Sequence, residues 1–332
     1  MTEEPGGTVT QADRHVPATG DADASVVTVL RRRREDGSRA GERRDPWRVA
    51  LVIEGGGSRS AVSAGMALTL VREGLVDAFD AVYATSGGAL NGAWLLSSTP
   101  DSGLRSWAYP DVLAARVIDP WRAARGGPLV DMRRLVEHVY AHVTPMDFDA
   151  ILAHPTSFHP IATDAQTGDA VDLHPHLTDA EALRDGLRAS GCLPWLAGPP
   201  VLLGGRSYLD GGLTHGVPAR LAAQGGATHL LVLRTKRADD LTRAASRVER
   251  AVLRRYYRRH GAGAGAGRAH AVRHLAALEE ERWLEQACAE SDTVRQVRPG
   301  HRTPAVSRLS RDSDLIAKAI RAGAAAMAEA LG

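Results

Sequence analysis

A nearly unbroken apolar run, Arg48-Val49-Ala50-Leu51-Val52-Ile53, carries β-branched residues on both faces, the pattern of a buried parallel strand. It passes through Glu54-Gly55-Gly56-Gly57-Ser58-Arg59 into a helix with Val62, Met66, Leu70 and Val71 on one face, stopping near Gly74. A second strand, Ala78 to Tyr83, turns at Ala84-Thr85-Ser86-Gly87-Gly88 into another helix through Leu90, Ala93, Trp94 and Leu95. Strand, glycine turn, helix, twice over, predicts a parallel sheet.

Further along, Leu135, Val139 and His142 are helically spaced within Met132 to Val143. Phe158 to Thr163 and Ala170 to Leu173 read as two strands joined by a turn ending at Gly168. Thr178-Asp179-Ala180-Glu181 predicts a capping box for a helix running to about Ser190. Thr228 to Arg234 reads as a buried strand, and a last helix spans Ser313 to Leu331. Residues 1–24 lack apolar periodicity and read as a disordered tail. Residues 25–46, with Arg31 to Arg34, read as a solvated basic lead-in, organised structure starting at Trp47. The domain is expected over 47–332, with a core at 47–235 and a helical part at 236–332 interrupted by a flexible link at 261–267.

Composition narrows the classes. With 332 residues, 44% hydrophobic and 24% charged, the chain can bury a proper core. No run approaches the roughly 18 apolar residues of a spanning helix, and no secretory signal is visible at the N-terminus. Cys192 and Cys288 are too few for a disulfide framework, which favours a cytoplasmic setting. A net charge of +2 gives no reason to expect nucleic acid as a partner.

The chemistry concentrates at three glycine turns. Ser86 sits on a sharp strand-to-helix turn between Ala84 and Gly88, which exposes its hydroxyl as a nucleophile elbow does. Taken by itself it is also consistent with a plain turn, and Ala84 stands where the G-x-S-x-G pattern has glycine. Gly55-Gly56-Gly57 brings backbone N–H groups together as donors for an anion, and Arg59 adds a positive charge. The dinucleotide pattern G-x-G-x-x-G fails at Ser60. Asp210-Gly211-Gly212 alone reads as a turn, but a carboxylate buried beside a serine becomes basic enough to take its proton.

Together and in this order, the three motifs resemble the patatin-like phospholipase family, particularly its bacterial single-domain members. Ala61-Val62-Ser63-Ala64-Gly65-Met66, Ala162-Thr163-Asp164 and Ala189-Ser190 through Pro194 agree with it. The resemblance implies an α/β fold: a three-layer α/β/α sandwich with a mostly parallel central sheet, related to cytosolic phospholipase A2, plus C-terminal helices. It implies a serine acyl hydrolase acting on lipid esters, phospholipid or acylglycerol, through a Ser86–Asp210 dyad and an acyl-enzyme. Gly55, Gly56, Gly57 and Arg59 would form the oxyanion hole, with Ala84, Gly88, Gly211 and Gly212 supporting the two turns. No metal or cofactor is implied. Ser60 and Ala84 depart from the family's glycines; if Ser60 needs a positive φ, serine strains the loop. The alternative is then a catalytically weak lipid- or acyl-binding protein on the same fold.

Other features carry less. His174-Pro175-His176 lacks the company of a metal site and reads as solvated loop, while His215 stands near enough to Asp210 in sequence for a supporting role. Leu193, Trp195, Leu196 and Val201 read as core or as the wall of an acyl groove. Leu241, Ala245, Val248, Val252 and Tyr256 stripe one side of a helix, with Arg243, Arg247, Arg250, Arg254 and Arg258 nearly opposite. That basic face is either solvated or a peripheral contact with the inner face of a membrane.

Overall fold

The computed structural model describes residues 24–240, 246–260 and 264–332. Its sheet has eight strands: β1 (Val49–Ile53), β2 (Ala81–Thr85), β3 (Ser157–Asp164), β4 (Ala170–Asp172), β5 (Val201–Leu203), β6 (Arg206–Asp210), β7 (His229–Leu233) and β8 (Val294–Val297). Strands β3-β2-β1-β7-β8 are parallel neighbours, and β4, β6 and β5 add antiparallel pairings at the β3 edge.

The side-chain period of two along β1 divides the molecule into layers. Val49, Leu51 and Ile53 join a core with α1 (Val26–Glu35), α2 (Ala61–Arg72), α3 (Gly87–Leu96) and the helix Ser313–Leu331. Ala50 and Val52 face the opposite way, onto helix Ala219–Gln224 and Leu284 of the long helix Ala264–Glu290. The fold is thus a three-layer α/β/α sandwich. Gly65 of α2 and Gly323 of the last helix lie so close that a Cβ on either would overlap the other helix's backbone.

Several expectations need correction. Organised structure starts before Trp47: α1 is capped by Ser25, which accepts from Thr28 N, and buries Val26, Val27, Val29, Leu30 and Arg33. Arg33 is no solvated cation. Its guanidinium pairs with Asp45 at 2.6 Å and Asp80 at 2.8 Å, and donates to the Ala78 and Trp47 carbonyls. The core does not close at residue 235, because β8 extends the sheet beside β7. Helix Ala264–Glu290 takes in the second half of the expected flexible link; residues 261–263, like tail residues 1–23, lie outside the described residues. The segment Arg134–Val143 is a π-helix, whose wider turn leaves His142 exposed. Asp179, not Thr178, caps helix Ala180–Ser190, accepting from Ala182 N.

Candidate active site

The carboxyl ends of β1, β2 and β7 open onto one cavity of ≈ 480 Å³, where parallel sheets generally bind ligands. Ser86, Asp210, Gly55, Gly56, Gly57, Arg59 and Gly212 all line it, so residues far apart in sequence come together.

Ser86 links β2 to α3 with φ 55° and ψ −127°, a strained conformation for a side-chain-bearing residue. Its N–H donates to Ser190 Oγ at 2.9 Å, and that hydroxyl donates to the Ile161 carbonyl at 2.7 Å. Its carbonyl accepts from Ala89 and Leu90. The elbow is therefore tied to helix Ala180–Ser190 and β3, with the positive end of α3 beneath it. Nothing in the sequence around Ser190 marks it as the partner of a residue at position 86. A Cβ at Gly88 would lie 2.6 Å from the Ile53 carbonyl, which demands glycine there. Ala84 lies in regular β2 with its methyl buried in the main core, so its departure from glycine costs nothing.

On the β1 side, Gly57 adopts φ 56° beneath the Arg308 carbonyl, which accepts from Ser58 N at 2.9 Å. The Gly55 N–H is committed to the Gly216 carbonyl at 3.0 Å, which removes Gly55 from the expected oxyanion donors. Among the described residues the N–H groups of Gly56 and Gly57 meet no acceptor, and both residues line the cavity. Ser60 has φ −63°, ordinary helical backbone, so serine strains nothing there. Arg59 donates from Nε to Thr235 Oγ1 at 3.3 Å, while its Nη2 is buried without a partner.

Glu54 underpins the same loop, a role the sequence did not announce. It accepts from Thr235 N at 2.6 Å and pairs with buried Arg234 at 3.1 Å. Burial penalises its charge, but Arg234 foremost, then Lys236 and Arg59, hold it down to about 2. Arg234 also reaches Glu281, which pairs with Arg298, tying helix Ala264–Glu290 to the loop.

Asp210 ends β6 opposite Ala162 of β3 and is 2% exposed. Its N–H donates to the Cys192 carbonyl, and its own carbonyl accepts from Thr163 Oγ1. Oδ1 accepts from Gly212 N at 2.7 Å; Oδ2 is buried and holds no hydrogen bond of normal geometry. Burial pushes the carboxyl up to about 6, against the neighbouring Ser86 hydroxyl, the Gly212 N–H and the charges of Arg308 and Arg273, which favour its ionised form. Backbone atoms define His215's part: its carbonyl accepts from Thr85 Oγ1 at 2.9 Å. His174 bonds the Phe158 carbonyl, away from the cavity. Of the suggested groove residues, Leu193 lines the cavity, Val201 is buried in β5, and Trp195 stands 60% exposed with φ 69°.

The family model described as patatin-like phospholipase matches residues 51–223, just over half of the chain, and that stretch holds the glycine loop, Ser86 and Asp210. The uncharacterized protein YjjU of Escherichia coli (strain K12) is 32% identical over 190 residues, which is 57% of this chain and 52% of that protein. The chain thus spans about half the length of this curated relative. Among solved structures, VipD from Legionella pneumophila aligns over 86% of this chain and 67% of its own, with 12% identity and a TM-score of 0.38.

Proposed function

The chain belongs to the patatin-like phospholipase family, and from that footing we propose that it is a serine acyl hydrolase cleaving carboxylic esters of lipids through a Ser86–Asp210 dyad. The observation that carries this reading is the buried Asp210 carboxyl, its Oδ2 without a hydrogen bond of normal geometry and its basicity raised, sharing a cavity with Ser86 on its strained turn.

Ionised Asp210 takes the Ser86 proton as Oγ attacks the ester carbonyl carbon. The tetrahedral oxyanion accepts from the Gly56 and Gly57 N–H groups, donors worth about 3 kcal/mol or more each, and Arg59 supports it. The intermediate collapses, and protonated Asp210 gives its proton to the departing alkoxide, leaving acyl-Ser86. Water then gives a proton to Asp210 and attacks the acyl carbon. Free acid leaves and Ser86 recovers its proton. The weak-binder alternative rested on Ser60 and Ala84; neither distorts the backbone, which supports the active reading.

Peripheral contact with the inner face of a membrane, in a cytoplasmic setting, belongs to the same proposal. Of the basic residues expected to make it, Arg243 and the side chains of Arg247 and Arg250 lie outside the described residues, as do Leu241, Ala245 and the Val248 side chain. Arg254 and Arg258 are exposed, joined by Arg255 and Arg259. Val272, Leu275 and Leu278 stand 48%, 49% and 40% exposed on helix Ala264–Glu290, whose Arg273, His274 and Ala277 line the cavity. Exposed apolar residues on this helix and exposed arginines on the neighbouring one suit an anionic lipid surface. Among the described residues no helix is long and apolar enough to cross a membrane.

The test is release of fatty acid from mixed micelles of phospholipid or diacylglycerol by the wild type and by Ser86→Ala. Turnover of at least one lipid ester by the wild type alone supports the proposal; no release from any of them by folded protein overturns it.

A further inference from the structure

A second cavity, of ≈ 80 Å³, lies behind the glycine loop and shares no lining residue with the catalytic one. Trp107, Leu113, Val117, Ile118, Leu135 and Ile316 form its walls, and the acyl-transfer chemistry uses none of them. Two short backbone segments separate the cavities. Gly57 and Arg59 line the catalytic one, while Ser58 between them lines the second; Arg308 lines the first, and Ser310 and Arg311 the second. The segments are bonded to each other: Ser58 N donates to the Arg308 carbonyl and Ser58 Oγ to the Ser310 carbonyl, both at 2.9 Å. Trp107 ties the far wall to the same loop, its Nε1 donating to Asn91 Oδ1 at 2.7 Å and Asn91 Nδ2 to the Ser60 carbonyl at 2.8 Å.

The lining restricts what can bind there. Its serine hydroxyls at positions 58 and 106 are committed, the second to the Gly103 carbonyl at 2.6 Å, so a polar group entering the cavity would be desolvated without gaining a partner. Arg311 is the exception: it is exposed and, among the described residues, forms no ion pair. Size selects further. A cavity of about 150 Å³ takes a benzene ring, whereas ≈ 80 Å³ takes the end of a linear chain. Apolar walls with one exposed cation thus fit an aliphatic chain ending in an anion.

We infer that this second cavity is an effector site for a linear aliphatic carboxylate, its chain end among Trp107, Leu113 and Val117 and its carboxylate at Arg311. The wall of Gly57–Arg59 and Arg308–Ser310 separates the site from Ser86, so its occupant is a free carboxylate and not the chain of the reacting ester. A ligand that fits the cavity favours the loop conformation that shapes it, and in that conformation Gly56 and Gly57 line the catalytic cavity with their N–H groups uncommitted. Occupancy therefore speeds reaction at Ser86. The binding part stands by itself; the coupling rests on the hydrolase reading above.

Binding is measured by titration calorimetry with monomeric decanoate, 1-decanol and benzoate. Decanoate is expected to bind about threefold tighter than decanol, as an exposed ion pair allows, and about tenfold or more tighter than benzoate. Val117→Phe, which fills the cavity, should weaken decanoate about tenfold, the equivalent of roughly two excluded methylenes. Arg311→Gln, at an exposed position, should remove the preference for decanoate over decanol. Decanoate bound equally well by folded Val117→Phe, a preference that survives Arg311→Gln, or decanoate displaced by phosphonylation of Ser86 each overturns the site. For the coupling, saturating decanoate is expected to speed fluorophosphonate labelling of Ser86 about threefold or more in the wild type and not in Val117→Phe. Unchanged or slower wild-type labelling overturns the coupling. Decanoate bound as expected by a protein whose Ser86 takes up no probe sinks the hydrolase reading while the site stands.

Discussion

Replacing Ser190 by alanine removes one oxygen, and the structure says what that oxygen holds. Ser190 Oγ accepts from the Ser86 N–H at 2.9 Å and donates to the Ile161 carbonyl at 2.7 Å, in a site closed to solvent. Alanine leaves a buried donor and a buried acceptor without partners. At about 1–3 kcal/mol for each of the two unsatisfied groups, the expected loss is about 2–6 kcal/mol. The lost bond is also one of the ties that hold Ser86 at φ 55°, a conformation costing about 1–3 kcal/mol. Releasing it lets the hydroxyl shift relative to Asp210, and a displacement near 1 Å costs a reaction roughly 10²-fold. Urea denaturation reads the first effect, as a lowered midpoint at unchanged slope. The rate of covalent labelling by a fluorophosphonate reads the second, in protein shown to be folded. A variant matched in stability but remote from the elbow, at Arg33, separates the two. Ser190→Ala within about 0.5 kcal/mol of wild type, or labelling no slower than the Arg33 variant, refutes the reasoning.

Three further outcomes follow from the same structure. Asp210 is held at about 6 against an ordinary 3.8, so the folded protein binds its proton more tightly than the unfolded chain, and stability falls as pH rises from about 4 to 6. Asp210→Asn is therefore expected to stabilise the fold at pH 8 by about 3 kcal/mol while cutting activity at least 10²-fold, and wild-type labelling should rise with pH through about 6; a flat profile from pH 5 to 8, or a destabilised variant, contradicts this. Arg33→Met leaves Asp45 and Asp80 without their buried cation and should cost about 3–5 kcal/mol in urea denaturation, against near-neutrality if the segment were solvated. Leu275→Asp with Leu278→Asp should lower sedimentation with anionic vesicles at least tenfold and leave labelling of Ser86 unchanged; unchanged sedimentation argues that another face meets the lipid.

What the sequence made legible was local. Apolar runs of period two or near-continuous apolarity located β1, β3 and β7, and glycines marked the turns where Ser86, Asp210 and the loop at Gly56 and Gly57 meet. Partners distant along the chain were not legible. The arginine run of α1 looked solvated because Asp45 and Asp80, which bury Arg33, are recognisable as partners only once β1 and β2 pair. Strand β8, with its mixed Val294-Arg295-Gln296-Val297, offers no periodicity of its own and is strand because β7 is beside it. Gly55 looked equivalent to Gly56 and Gly57 until the fold supplied the Gly216 carbonyl that takes its N–H. Ser190 and Glu54 act through backbone donors contributed by other elements, and no spacing rule points to those.

The central claim is that Ser86 is an activated nucleophile with Asp210 as its base. Labelling wild type, Ser86→Ala and Asp210→Asn with a fluorophosphonate probe, followed by peptide mass mapping, tests it most directly. The account predicts wild-type modification on Ser86, none there in Ser86→Ala, and labelling slowed at least 10²-fold in Asp210→Asn. A folded wild type that takes up no probe, or takes it up on another residue, or an Asp210→Asn protein that reacts as fast as the wild type, contradicts it.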